Sequence, residues 1–163
     1  MVAPIGFTRD DQFMDYPDVA ADTRRFTAGA PRAVTVSTDG TRVVFLRSTG
    51  PTDPVEQLWV HDVPTGTERL IFEPTSPSGT HIPPMRYATD ARGLVAGLVW
   101  NGRLVTADLA DGRVTAHDDT TAVHDPRPDP DGRRLGYVSE GTLRVRDLRT
   151  GHDTLLAGEL GDP

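Results

Sequence analysis

Residues 131–151 read DGRRLGYVSEGTLRVRDLRTG, and this stretch decides the fold of the chain. It contains an Asp-Gly pair, a short apolar run and a closing pattern, Leu-x-x-x-Asp-apolar-x-polar-Gly. The same template occurs at 39–66 and at 90–112, and each time an Asp stands four residues before the apolar run. The closing residues Asp62, Asp108 and Asp147 are 46 and 39 residues apart. The chain therefore contains three copies of one structural unit.

Each unit has the composition of antiparallel strands joined by tight turns. An Asp-Gly pair between apolar runs favours a type I′ hairpin turn, because Gly and Asp tolerate positive φ. A second turn in each unit is predicted at Thr65-Gly66, Asp111-Gly112 and Thr150-Gly151. The runs between turns are rich in Val, Leu, Phe and Tyr, as buried strands are. Alternation in Arg144-Val145-Arg146-Asp147 predicts an outer strand with one face in solvent.

The repeat period indicates the fold class. Units of about 40–50 residues are typical of four-stranded propeller blades. We therefore predict an all-β fold, a partial β-propeller of about three four-stranded antiparallel blades over residues 32–157. The blades are expected near residues 32–72, 85–117 and 124–157.

The remaining segments are expected to be peripheral to the blades. Residues 1–31 are predicted to form an N-terminal arm, with a short helix over Val19–Phe26 capped by Asp18. Proline-rich residues 73–84 predict a long loop between blades. Two further peripheral segments are a hairpin extension at 48–56 and a truncated C-terminal tail at 158–163.

The composition of the 163-residue chain excludes several classes of function. A net charge of −7 argues against nucleic acid as a partner, because phosphate binding needs a basic face. All 17 basic residues are Arg and there is no Cys, which excludes catalytic lysines, disulfides and thiolate chemistry. No apolar run is long enough to span a membrane, and the N-terminus lacks a secretory signal pattern. We therefore expect a cytoplasmic protein without membrane contact.

The candidate metal-binding patterns favour structural roles. The run Asp125–Gly132 resembles a calcium loop, but a Gly at its sixth position would make Arg127 the first ligand and Val138 the twelfth. A turn leading into a strand is the better interpretation. His117 and His124 lack the ligand spacing of a zinc site and are expected in a solvated loop between the second and third units.

The candidate catalytic patterns are equally weak. No serine lies in a G-x-S-x-G elbow; the serines are 37, 48, 76, 78 and 139. Trp59 and Trp100 are expected in blade cores, and the Arg24-Arg25 and Arg133-Arg134 pairs on solvated faces. We predict no catalytic, cofactor-binding or metal-binding residue in this chain, and no cofactor.

Three stretches carry a resemblance to a known family. Residues 23–48, 52–70 and 125–151 resemble, in the same order, the propeller of actinobacterial prolyl oligopeptidase-family serine peptidases, and most closely the dipeptidyl peptidase IV-like branch. The resemblance covers roughly residues 20–157. The Asp-Gly turn followed by Arg and apolar residues is shared with TolB-type propellers in general.

The resemblance implies a large enzyme in which the propeller precedes an α/β-hydrolase domain with a Ser-Asp-His triad. Such enzymes release N-terminal dipeptides with Pro or Ala second, and an adjacent Glu pair of the propeller holds the substrate amine. This chain has no adjacent Glu pair and no triad domain; its glutamates are 56, 68, 73, 140 and 159. We therefore expect a fragment truncated before the catalytic domain, inactive alone, that gates peptide substrates in the parent enzyme. The alternative is a stand-alone TolB/WD-type interaction module without enzymatic activity.

Three blades leave a propeller incomplete, because closed rings have about four to eight blades. We expect the ring to be completed by the missing hydrolase-linked part of the parent or by self-association. Expressed alone, the chain should be poorly soluble or oligomeric. A monodisperse monomer in sedimentation that also melts cooperatively would contradict this expectation.

Overall fold

The computed structural model describes residues 29–50, 53, 55–75 and 85–158. These residues form twelve β-strands and no helix. The first blade consists of β1 (Arg32–Val36), β2 (Arg42–Arg47), β3 (Gln57–Asp62) and β4 (Thr67–Phe72). The second consists of β5 (Tyr87–Thr89), β6 (Val95–Trp100), β7 (Arg103–Asp108) and β8 (Val114–His117). The third consists of β9 (Val123–Pro128), β10 (Arg134–Ser139), β11 (Thr142–Asp147) and β12 (Asp153–Ala157).

Each blade is a four-stranded antiparallel meander in which sequential strands are neighbours. This confirms the all-β prediction and its three four-stranded sheets. The predicted helix over Val19–Phe26 lies outside the described residues, and so does most of the predicted loop at 73–84.

The turns that join the first two strands of each blade correct the sequence alignment. In these turns the N–H of Gly40, Gly93 and Gly132 donates to the carbonyl oxygen three residues earlier, at Ser37, Asp90 and Asp129. Asp90 is therefore equivalent to Ser37 and Asp129. The alignment of Asp90 with Asp39 and Asp131 in the sequence is therefore wrong by two residues. The glycine occupies the same position in all three turns, whereas the acidic residue does not.

The type I′ prediction for the Asp-Gly pairs is also wrong. Gly40 and Gly132 have positive φ, but Asp39 and Asp131 do not, whereas a type I′ turn needs positive φ at both central residues. The two-residue turns lie elsewhere, at Asn101-Gly102 (φ 51° and 73°) and Glu140-Gly141 (φ 51° and 75°). They join the second and third strands of the second and third blades.

The second predicted set of turns is confirmed, and one carboxylate organises each of them. The N–H of Gly66, Gly112 and Gly151 donates to the carbonyl oxygen of the closing Asp four residues earlier. The side chains of these aspartates accept further N–H groups of the turn; Asp147, for example, accepts those of Arg149 at 3.0 Å and Thr150 at 2.8 Å. Such local acceptors hold a turn because they satisfy backbone donors that strands cannot reach.

The blades pack through a repeated rule, counted from the turn glycine. Residues four and six positions after it form the back face of a blade, and residues three and five positions after it form the front face. The back face of the first blade (Val44, Leu46) packs on the front face of the second (Ala96, Leu98) in one buried cluster.

The same rule holds at the next junction. Val99 on the back face of the second blade packs against Leu135 and Tyr137 on the front face of the third. The Leu135 side chain packs directly against Gly97 at this junction. A Cβ at position 97 would lie 2.6 Å from the Leu135 Cδ1 atom. A glycine is therefore required for this close approach.

Gly97→Ala should lower the free energy of unfolding by about 1–3 kcal/mol, as overpacking of a filled core does. Gly50→Ala is the matched control, because a Cβ there would meet nothing within 4 Å, and it should be close to neutral. Urea unfolding measures both. Equal midpoints for the two variants would contradict the packing rule.

The turn carboxylates predict an acid-sensitive fold. Hydrogen bonds, first of all from the Ser37 hydroxyl, lower the pKa of Asp39 from 3.8 to about 2. Hydrogen bonds within their turns also lower the pKa values of Asp62 and Asp147. A lowered pKa in the folded state stabilises the fold above the unfolded pKa, and this stabilisation is lost as the pH falls through the folded pKa.

The melting temperature should therefore fall as the pH is lowered from about 4 to about 2. A variant with Asp39→Asn, Asp62→Asn and Asp147→Asn keeps the acceptor oxygens without the charge and should lose less over this range. An identical pH dependence of parent and variant would show that these carboxylates do not contribute.

Candidate functional site

A concave surface lies where the first strands of the three blades begin. This inner cleft has a volume of about 890 Å³. It is lined by Arg32 and Ala33 of the first blade, residues 85–87 and Val99 and Gly102 of the second, and residues 123–127 of the third. Each blade contributes one guanidinium group, from Arg32, Arg86 and Arg127. The fold therefore brings three cations together from distant parts of the sequence.

Two bulged strands shape the wall of the inner cleft. The register of β1 against β2 shifts between Arg32 and Thr35, and Ala33 within this bulge has a φ of 50°. The register of β9 against β10 shifts likewise, and Asp125 there has a φ of 47°. Positive φ at a residue other than Gly costs free energy and is concentrated at functional sites. Bulges also redirect side chains.

The charges of the inner cleft are only partly compensated. Arg32 makes a bidentate ion pair with the buried carboxylate of Glu56. The Arg127 guanidinium lies 2.6 Å from Asp125 Oδ1. Arg86 is exposed and has no hydrogen-bond or ion-pair partner among the residues that the structure describes. The inner cleft therefore presents an exposed guanidinium that is free to bind an anion.

Tyr87 joins the first two blades along the wall of the inner cleft. Its hydroxyl lies 2.7 Å from the carbonyl oxygen of Val44 and also contacts that of Ala33. Burial raises the pKa of Tyr87, so this hydroxyl keeps its proton at neutral pH. It is a neutral donor to backbone oxygens and positions β1 beside β5.

A second polar cluster lies between the second and third blades. Arg146 is 2% exposed, and its Nη1 donates to Asp119 Oδ1 at 2.9 Å while its Nη2 donates to Asp153 Oδ2 at 2.6 Å. Hydrogen bonds from the guanidinium lower the pKa of Asp119. Burial raises the pKa of Tyr137, which lies beside Asp153, to about 12. The cluster ties the segment after β8 to the third blade, which is a structural role.

This cluster overturns one sequence interpretation. The alternation over residues 144–147 predicted an outer strand with its polar face in solvent, but β11 is an interior strand of the third blade. Arg146 is opposite Leu135, so its side chain is on the face that packs against the second blade. An alternating pattern does not reveal which of its faces is covered, because an arginine with two carboxylate partners can be buried.

The structure assigns the remaining candidates mostly to turns and packing. Asp125–Gly132 contains the last part of β9 and the turn into β10, where Asp129 accepts the N–H groups of Arg133 at 2.8 Å and Arg134 at 3.1 Å. The turn interpretation is therefore confirmed. Within residues 29–50, 53, 55–75 and 85–158, no three His, Asp or Glu side chains converge as a metal site would require.

The loop prediction is wrong for both histidines, which lie in strands, and the prediction of solvent exposure holds only for His124. His117 ends β8, its Nε2 lies 2.9 Å from the Thr106 hydroxyl, and burial lowers its pKa. His124 is in β9 and exposed, at the wall of the inner cleft.

Of the two tryptophans, Trp100 confirms the prediction of a core position, because it packs on the main apolar cluster and meets Phe72 edge-on at 6.1 Å. Trp59 does not belong to that cluster. It lies on the front face of the first blade, with the Arg47 guanidinium 4.4 Å from its ring.

The described serines are held by local hydrogen bonds. The hydroxyl groups of Ser37, Ser48 and Ser139 donate to Asp39, to the Gly50 carbonyl and to the Thr121 carbonyl, at 2.6, 3.1 and 2.6 Å. None of the three is hydrogen-bonded to a histidine. Ser76 and Ser78 lie outside the described residues.

Comparisons with known proteins identify the fold. No family model matches the chain, and a search of curated proteins finds no match. Solved structures do match. TolB from Acinetobacter baumannii has a TM-score of 0.54 at 17% identity over 79% of this chain and 32% of its own. The three sheets are blades of a β-propeller.

Two protease structures share this fold. The tricorn protease matches with a TM-score of 0.55 at 17% identity, over 82% of this chain and 14% of its own. The β-propeller domain of the Trilobed protease from Pyrococcus furiosus, which has an open velcro topology, matches with a TM-score of 0.52 at 9% identity. The match covers 77% of this chain and 42% of that domain. These identities establish the fold alone, and the chain spans less than half the length of each structure. No helix in the described part of the chain is long and apolar enough to cross a membrane.

The buried arginine generates a stability prediction. Arg146→Ala should lower the free energy of unfolding by about 3 kcal/mol, since removal of one partner leaves carboxylates without their counter-ion at a blade junction. Arg144→Ala is the control, because Arg144 points from the same face of β11 but is half-exposed and donates only to Thr142. Urea unfolding followed by circular dichroism distinguishes them. A loss for Arg146→Ala no larger than for Arg144→Ala would contradict the structural role of the cluster.

Proposed function

We propose that this chain is a propeller segment that positions peptides for a dipeptidyl peptidase IV-like serine peptidase and has no catalytic activity by itself. The resemblance over residues 23–70 and 125–151 supports the peptidase assignment. The propeller fold is compatible with it, since protease propellers are among the structures with this fold. The partners in this proposal are peptide substrates and an α/β-hydrolase domain, in the cytoplasm.

The inner cleft is the observation that carries the proposal. It is concave, its wall contains two bulged strands, and it holds the exposed guanidinium of Arg86. A peptide offers a carboxylate at its C-terminus or on an acidic side chain, and arginine binds carboxylates through charge-assisted, often bidentate hydrogen bonds. We therefore assign the recognition of a peptide carboxylate to Arg86, with Arg127 close by on the same wall.

The second candidate is a TolB-type interaction module. The match to TolB favours it as strongly as the protease matches favour the first. The two differ in what the cleft binds, because an interaction module would bind a folded partner and show no preference for short peptides with a free carboxylate.

Fluorescence anisotropy with dye-labelled peptides tests the assignment. A peptide with a free C-terminal carboxylate should bind more tightly than its amidated counterpart, and Arg86→Gln should weaken its binding by about tenfold, the loss of one charge-assisted hydrogen bond. Arg113→Gln, at an exposed turn outside the cleft, is the control and should change nothing. Equal binding of the two peptides, or equal effects of the two variants, would contradict the assignment.

The same preparation should not hydrolyse a Gly-Pro chromogenic amide and should not be labelled by a fluorophosphonate. Labelling of a serine above a denatured control would show catalytic activity that the described residues do not explain.

A further inference from the structure

The inner cleft has an apolar floor beneath its cations. This floor consists of Val99, Val123 and Pro126, which are buried or half-buried, whereas the lining residues Arg86 and Arg127 are exposed. Val123 belongs to the buried cluster between the second and third blades, and Val99 packs against that cluster. The apolar floor therefore lies between these two blades, with charged groups at its rim.

The strand register places Arg86 beside the apolar floor. β5 pairs with β6 in antiparallel fashion, with Tyr87 opposite Leu98. Arg86 precedes β5 by one residue, and the same register continued by one residue places it opposite Val99. Residues directly opposite each other in an antiparallel pair point to the same face, with Cβ atoms about 4.5–5.5 Å apart. The uncompensated guanidinium and the apolar floor are therefore neighbours on one face of the second blade.

The third-blade side of the apolar floor is held in place by the second blade. The N–H of Val123 donates to the carbonyl oxygen of Gly102 at 2.9 Å, which fixes the start of β9 on the turn between β6 and β7. A Cβ at Gly97 would lie 3.4 Å from the Cβ of Pro126, so Pro126 packs on the middle of β6. The floor is thus preformed, and a preformed site loses less free energy to ordering when a ligand binds.

We infer that the inner cleft binds the C-terminal residue of a peptide and prefers a large apolar residue, such as leucine, at that position. The inference rests on the proposed recognition of a peptide carboxylate by Arg86. It goes further because it names the source of that carboxylate and the side chain that accompanies it.

A C-terminal residue fits both parts of the site because its carboxylate and its side chain are attached to the same Cα. With the carboxylate on the Arg86 guanidinium, a leucine side chain reaches the neighbouring apolar floor. An internal Asp or Glu brings a carboxylate without an apolar group and leaves Val99 and Val123 uncovered. The pairing of an uncompensated cation with adjacent apolar surface therefore favours the chain terminus over an acidic side chain.

Fluorescence anisotropy of the full chain with tetrapeptides that carry fluorescein at the N-terminus tests this preference. Ser-Gly-Ser-Leu with a free carboxylate should bind at least about tenfold more tightly than Ser-Gly-Ser-Gly, because burial of a leucine side chain corresponds to a factor of that order. Amidated Ser-Gly-Ser-Glu offers only an acidic side chain, and it should also bind about tenfold more weakly than Ser-Gly-Ser-Leu.

Two variants separate the cation from the apolar floor. Val99→Thr replaces a methyl group of the floor by a hydroxyl at the same shape, and it should weaken the binding of Ser-Gly-Ser-Leu about fourfold, the value of one buried methyl group. It should leave the binding of Ser-Gly-Ser-Gly unchanged. Arg86→Gln should instead weaken both free-acid peptides by the same factor, because it removes the contact that they share.

Val63→Thr is the matched control for the floor variant. Val63 is 48% exposed and follows β3, outside the cleft lining, so this change should affect neither peptide. The β-sheet circular dichroism spectrum checks that each variant is folded. If Val99→Thr does not fold, the peptide series on the unmodified chain still decides the inference.

The outcomes distinguish this inference from the proposed function. Equal affinities for Ser-Gly-Ser-Leu and Ser-Gly-Ser-Gly would overturn the inference but leave the carboxylate assignment intact, provided that amidation weakens both. Binding of amidated Ser-Gly-Ser-Glu as tight as that of Ser-Gly-Ser-Leu would also overturn it, and so would equal losses for both peptides in Val99→Thr. Equal binding of free-acid and amidated Ser-Gly-Ser-Leu, or no binding of any peptide, would overturn the proposed function together with the inference.

Discussion

The packing of one blade's back face on the next blade's front face is the interaction on which the rest of the structure depends. A four-stranded meander has two faces, and a small sheet is stable only when apolar area is covered. The second blade is covered on both faces, by Val44 and Leu46 on one side and by Leu135 and Tyr137 on the other. The first and third blades each pack against another blade on one face. The stability of the chain depends on these two junctions.

The inner cleft is a consequence of the same packing. Because the blades stack in register, the starts of their first strands meet, and Arg32, Arg86 and Arg127 come together although about 95 residues separate the outer two. Glu56 and Asp125 compensate two of these cations. The third cation, Arg86, is exposed and has no ion-pair partner among the described residues, and it gives the cleft its chemistry.

The sequence was sufficient for the fold class, because the repeat of Leu-x-x-x-Asp and turn glycines reflects local requirements. Asp62, Asp108 and Asp147 each organise a turn with donors only two or three residues away. The alignment of the turns was wrong at Asp90. The glycine of this turn, Gly93, is in the same position as in the other two turns, but the acidic residue is two positions away from Asp39 and Asp131 in the alignment. Trp59 and Arg146 were misjudged for a common reason. The face that a strand buries depends on the neighbouring blade, which the sequence of that strand does not contain.

The inner cleft could not be predicted from any motif. Its arginines follow no common spacing from their turn glycines, and they are brought together only by blade stacking. The metal and serine patterns contain no such long-range information. The central claim is that the back face of one blade packs on the front face of the next, with the Leu135 side chain directly against Gly97. A double-mutant cycle measured by urea unfolding tests it most directly. The loss of stability caused by Gly97→Ala should largely disappear when Leu135 is also replaced by alanine, and an equal loss in both backgrounds would contradict the claim.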